Sequence, residues 1–257
     1  LVAYTYEWRK NGMPTGHVSA VLPYTETSKG ETWTVVATPD DGNGPGPAAE
    51  AGTDIVNPPP MVASISISPS QTYNDGTLTC SATASDPDET AAVTYQWTVD
   101  GADAGSSASL DLALTGALPG SVATCVATAE DSDGETAEGT ASITVSNRAP
   151  VVAITGPVDG HGENEGAGLE LAGTVYDSDS AAALQITWTS SIDGELWAEN
   201  ATGAVSASAE LSQGTHTLTL AAQDSMGLTG TDSVQVVING LPSIPGLVLQ
   251  PSPEAST

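Results

Sequence analysis

Apolar and polar positions alternate with a period of two in three short stretches, each carrying one tryptophan: "YEWRKNG" at 6–12, "YQWTVDG" at 95–101 and "ITWTSSIDG" at 186–194. Period two belongs to a strand with one buried face. The Asn-Gly or Asp-Gly that closes each stretch predicts a hairpin turn, because these residues tolerate positive φ. The third copy carries two extra residues before its turn. A second alternating stretch follows in each case and runs into an acidic turn: "VVATPDDG" (35–42), "CVATAEDSDG" (125–134) and "LTLAAQDSMG" (218–227). Asn-x-x-Pro then recurs at Asn57/Pro60, Asn147/Pro150 and Asn239/Pro242, at spacings of 90 and 92 residues. A period of that length is the size of one β-sandwich.

The repeat divides the chain into a truncated domain (1–59) that opens at its tryptophan strand, two complete domains (60–149 and 150–240), and residues 241–257. The last stretch, "LPSIPGLVLQPSPEAST", reads either as the first strand of a further repeat or as a Pro-rich tail. The predicted fold class is all-β, with tandem sandwich domains arranged end to end. A chain that opens on a third strand and closes on a first reads as a window of a longer polypeptide.

Composition sharpens this picture. Thr, Ser, Val, Gly and Pro dominate over helix formers, and there is no Phe, so the cores must rest on Val, Ile, Leu, Ala and the tryptophans. Thirty-two acidic residues face four basic ones, a net charge of −28. Such a surface repels phosphate, which argues against nucleic acid and anionic membranes as partners. No apolar run is long enough to insert into a bilayer.

The residues "LTCSATASDPDE", "YQWTVDG" and "ATCVATAEDSDGETAEGTASITVSNRAP" resemble the immunoglobulin-like and PKD-like repeats strung in tandem along large secreted or cell-surface bacterial proteins. The resemblance covers nearly the whole chain and is strongest over 60–149. It implies a disulfide between Cys80 and Cys125 on strands B and F, packed against Trp97, and an oxidising, extracellular or cell-surface location. It also implies a stalk, filament or adhesin segment whose partners are neighbouring repeats or copies of the same protein. Leu171 and Leu218 occupy the cysteine positions of the next repeat, and Val35 the second of them in the first, so these are core sites and not reactive thiols. The antibody-type tyrosine corner is absent, since Ala123 stands two residues before Cys125.

The acidic turns are the candidate site. Asp86 and Asp88 follow Cys80 by six and eight residues, as Asp177 and Asp179 follow Leu171; Asp131, Asp133 and Asp224 follow the second core position. The B–C and F–G loops share one end of such a sandwich, so the carboxylates should converge there. Converging carboxylates with few Lys or Arg to neutralise them suit Ca²⁺, which takes six to eight oxygen ligands. The competing reading is that Asp, Ser, Pro and Gly are simply good turn residues, and both stay open on sequence. No EF-hand loop occurs. His17, His161 and His216 occupy non-equivalent places; His161, amid Asp159, Glu163 and Glu165, is a weaker metal candidate. No nucleophile-and-base or phosphate-loop pattern is present, so the chain reads as a non-enzyme. Trp197 has no counterpart in the other repeats and could stack on a surface glycan or pack at the core edge; Asn200 opens a glycosylation sequon. The leading function is an extended extracellular spacer, with stiffening by calcium as one of the two readings of its acidic turns. The alternatives are a module that binds glycans or another cell, and a filament subunit joined by strand addition.

Overall fold

The computed structural model describes residues 1–240; the reading of 241–257 as a strand or tail lies outside them. The chain forms two compact units. The first comprises Leu1–Thr72, Gly76–Thr115 and Ser121–Thr144; the second comprises Tyr73–Asp75, Gly116–Gly120 and residues 145–240. Strands account for nearly all regular structure, as the period-two patterning requires.

In the first unit, β1 (Ala3–Lys10), β2 (Met13–Pro14), β3 (Thr32–Asp40) and β4 (Ala49–Asp54) make one antiparallel sheet in the order β2-β1-β3-β4. Asn11 and Gly12 take φ of 49° and 79° to close the first hairpin, and Asp100 and Gly101 take 50° and 82° to close the next. Trp8 stands opposite Val35, and its ring meets that of Trp33 edge to face at 6.4 Å.

The same unit holds a complete sandwich. Its strands are β5 (Met61–Ser68), β6 (Thr77–Ser85), β7 (Ala92–Val99), β8 (Ala102–Gly105), β9 (Ser109–Asp111), β10 (Val122–Glu130) and β11 (Thr136–Thr144). They form sheets β5-β6-β9 and β11-β10-β7-β8, the A-B-E and G-F-C-C′ layers of an immunoglobulin-like domain. A disulfide joins Cys80 on β6 to Cys125 on β10 across the two layers. Along β10 the buried positions alternate strictly, Ala123, Cys125, Ala127 and Ala129 facing inward. Trp97 is fully buried and donates its Nε1–H to the carbonyl of Ser107 at 3.0 Å.

The second unit repeats the plan. Its strands are β12 (Val151–Gly156), β13 (His161–Asn164), β14 (Gly168–Tyr176), β15 (Leu184–Ser190), β16 (Gly194–Ala201), β17 (Gly203–Glu210), β18 (Gly214–Gln223) and β19 (Thr229–Asn239). They form sheets β12-β14-β17 and β13-β19-β18-β15-β16, with β13 parallel to β19. Leu171 and Leu218, at the cysteine sites, are fully buried in one cluster with Trp188, Leu220 and Val236. Two leucines thus hold together what a covalent bond holds in the preceding sandwich, by burial alone. The fold is all-β and immunoglobulin-like.

Candidate functional site

The F–G turn is built identically in both complete sandwiches. Asp131 Oδ1 accepts the backbone N–H of Asp133 at 2.9 Å and of Glu135 at 2.8 Å. Asp224 Oδ1 accepts those of Met226 at 2.8 Å and Leu228 at 2.9 Å. One buried carboxylate therefore organises the turn from within. To the turn itself the residue two places on contributes only its N–H, so an aspartate there in one repeat can be a methionine in the next without loss of the turn. This geometry favours Asp over Asn, because both carboxylate oxygens accept and neither must donate.

The second oxygen of each carboxylate points at the linker. Asn57 Nδ2 donates to Asp131 Oδ2 at 2.7 Å, and Asn147 Nδ2 donates to Asp224 Oδ2 at 2.7 Å. The asparagine of Asn-x-x-Pro thus ties the incoming linker to the F–G turn of the sandwich that follows it. The linker enters the site through its side-chain amide, as a hydrogen-bond donor. Burial pushes the Asp131 carboxyl up, but Asn57 and the turn N–H groups outweigh it and leave the group below its ordinary value.

The B–C loops supply the rest. Asp86 Oδ1 accepts the N–H of Asp88 at 2.8 Å and of Glu89 at 3.1 Å, and Asp177 Oδ1 accepts that of Asp179 at 2.7 Å. The first aspartate of each pair is a turn former. The second differs: Asp88 is exposed, while Asp179 is buried. In the first unit, Glu89, Asp131 and Asp133 can each place an oxygen within 4.8 Å of the others. Lys29 Nζ lies 2.8 Å from Glu89 Oε1 and 2.6 Å from Asp133 Oδ2. Ser132 adds its N–H and hydroxyl to Glu89. Lys29 and then Ser132 hold the Glu89 carboxyl down at about 2, and Asp133 and Glu89 raise the ammonium of Lys29 above its usual value.

The second unit uses Arg148, at the place in its linker where the first linker has Pro58. Arg148 donates its backbone N–H to Asp179 Oδ2, and its Nε and Nη2 to Asp179 Oδ1, at 2.5–2.8 Å. Its guanidinium lies 4.5 Å from the centre of the Tyr73 ring and reaches Asp75 and Asn74, while Asn74 Nδ2 donates to the carbonyl of Asp179. A guanidinium that satisfies a buried carboxylate with two donors while stacked on an aromatic is a rigid arrangement that lysine cannot imitate. All four Lys and Arg residues are ion-paired, the other two as Arg9 with Glu7 and Lys10 with Glu31.

Asp177 and Asp224 line one cavity with Asn147 and Met226. Trp197 sits on β16 opposite Trp188, part-buried against the core cluster. Asp159 is occupied in accepting the N–H of Gln235, and His161 lies 3.9 Å from Glu163. The participants not singled out in the sequence are Glu89, Lys29, Arg148 and the amides of Asn57 and Asn147. Scarcity was the available signal for Lys29 and Arg148, two of only four cations on a strongly acidic chain.

No family model matches the chain, and no curated protein matches it. Solved structures do. An I-band fragment of titin is 14% identical and covers 93% of this chain and 88% of its own, with a TM-score of 0.38. Fibronectin(III)-like modules of Clostridium thermocellum CbhA are 18% identical over 69% of this chain and 95% of theirs, at 0.33. A 1.5-MDa bacterial ice-binding adhesin is 15% identical over 93% of this chain and 87% of the solved one, at 0.33.

Proposed function

We propose that the chain is a spacer segment of an extracellular or cell-surface protein, built to span distance and to resist bending at its linkers. The observation that carries this reading is the junction made twice to one plan, linker asparagine to F–G aspartate at 2.7 Å in both places. A free linker would leave these groups to water. Here each linker amide instead helps satisfy a carboxylate that already organises a turn, so bending the linker would strip a partner from a buried charge. Prolines on the same linkers restrict φ further. The reading requires domains that follow one another end to end, and three of this size would then reach roughly 100 Å, given about 3.3 Å per strand residue plus loops. Small-angle scattering tests the span: an elongated distance distribution reaching that length supports a spacer, and a maximum near that of a compact globule of the same mass contradicts it.

Calcium is a second reading, favoured by two buried acceptors with no hydrogen-bond partner among the described residues, Asp86 Oδ2 and Asn57 Oδ1. Hard oxygen donors of this kind are what Ca²⁺ selects. The ion would compete with Lys29 for Glu89 and Asp133. Thermal unfolding in EGTA and in millimolar Ca²⁺ decides it: a melting temperature raised by calcium supports the site, and an unchanged one leaves Lys29 as the sole cation there.

A further inference from the structure

The two acidic poles share a turn aspartate and a linker asparagine, and differ in the loop each one holds. Counted from the equivalent core positions Val35, Cys125 and Leu218, Lys29 and Pro119 each lie six residues before the core site, and Asp133 and Met226 each lie eight residues after it. Counted from Cys80 and Leu171, Glu89 and Ser180 each lie nine residues after. The two loops are seated alike, Gly30 N–H on the Ile55 carbonyl at 2.8 Å and Gly120 N–H on the Val145 carbonyl at 2.9 Å. One backbone frame therefore carries two different contacts.

In the first unit the contact is ionic, with Lys29 between Glu89 and Asp133. In the second, Pro119, Ser180 and Met226 replace all three charges by neutral groups. The Met226 methyl lies 3.8 Å from where a Cβ on Gly120 would stand. Leu118, Pro119, Ser180 and Met226 line one cavity of about 130 Å³ with Asp177 and Asp224. The cation of this pole comes instead from the linker, as Arg148, and goes to the buried Asp179, whose counterpart Asp88 is exposed. A neutral loop at the first pole would leave Glu89 and Asp133 with oxygens within 4.8 Å of each other and no counter-charge.

We propose that the poles are keyed to the loops they hold, so that the order of the repeats is written in these side chains. The pole of residues 60–149 takes a loop with a cation at the Lys29 position, and the pole of residues 150–240 takes a neutral, apolar one. Lys29, Glu89 and Asp133 on one side, and Pro119, Ser180 and Met226 on the other, are the specificity-determining sets. Each pole selects by attraction to its own loop, and the acidic one also by the unpaired carboxylates that a wrong loop would leave. The inference rests on the spacer reading in one respect, that each linker is held at the pole that follows it.

Hydrogen exchange in the 257-residue chain reads the seating of both loops. Ser180→Glu/Met226→Asp puts an acidic pole under Pro119: exchange at Gly120 should rise roughly tenfold, and adding Pro119→Lys should bring it back to within about threefold of the parent. Lys29→Met puts a neutral loop at the acidic pole: exchange at Gly30 should rise likewise, and adding Glu89→Ser/Asp133→Met should restore it. Unchanged amides in β10 and β18 show that both sandwiches stay folded. Parent-like exchange in the two mismatched variants, or mismatches that the matching substitutions do not relieve, overturns the proposal. The span seen by scattering is independent of these exchange rates, so failure of the keying and failure of the spacer reading are distinguishable.

Discussion

Asp131 and Asp224 each accept three hydrogen bonds, two from their own turn and one from a linker, and this division of labour was half visible in the sequence. A buried turn-forming aspartate leaves a legible trace, Asp followed three residues on by Gly, because the turn is local. The partners were not legible, because Lys29 and Glu89 lie 60 residues apart in sequence and only the folded loops bring them together. The ion pair has a measurable signature. Glu89 sits at about 2 in the folded chain, against about 4.3 in an unfolded one. Its folded value is the lower, so the unfolded state binds the extra proton between those values, and the stability that Glu89 confers is complete above about pH 4.3. That stability drains away as pH falls toward 2. Urea midpoints across pH 2–5 should show a steeper loss in the parent than in Glu89→Gln, and parallel curves would remove the pair from the account.

At the scale of elements, period-two patterning and the Asn-Gly and Asp-Gly turns were enough to place the tryptophan strands and their hairpins, since both signals are contained within a few residues. The short strands resisted: β13 pairs in parallel with β19, His161 opposite Val236, a contact 75 residues distant that leaves no local period. The longer third hairpin has an internal reason. Ser190 Oγ accepts the N–H groups of Ile192 and Asp193, so its own proton is directed at Nδ1 of the buried His216, whose Nε2–H donates to the Ser212 carbonyl. The histidine braces the enlarged turn and has no part in the acidic loops. The disulfide is the other element-scale device. It closes a separation of 45 residues between two layers, which on the loop-entropy model is worth about 4 kcal/mol. The double variant Cys80→Ala/Cys125→Ala should lose stability of that order by denaturant unfolding, with the transitions of the second unit unchanged. A loss below about 1 kcal/mol would mean that apolar packing alone holds those layers, as Leu171 and Leu218 do in the other sandwich.

For the whole molecule, the excess of acidic residues left two readings of the acidic turns open, a bound cation or plain turn chemistry. The structure spends two of its own four cations there, Lys29 and Arg148, and couples each acidic loop cluster to a linker. We infer that these couplings, and not the linker backbone alone, hold each linker against the sandwich that follows it. Pulsed electron–electron resonance between a spin label at the exposed linker residue Ala149 and one on an exposed position of β16 measures this directly, because the width of the distance distribution reports linker freedom. The parent should give one narrow distribution, and the variant Asn147→Ala/Arg148→Ala should broaden it at least twofold with both sandwiches still folded. Distributions of equal width in parent and variant would contradict the claim.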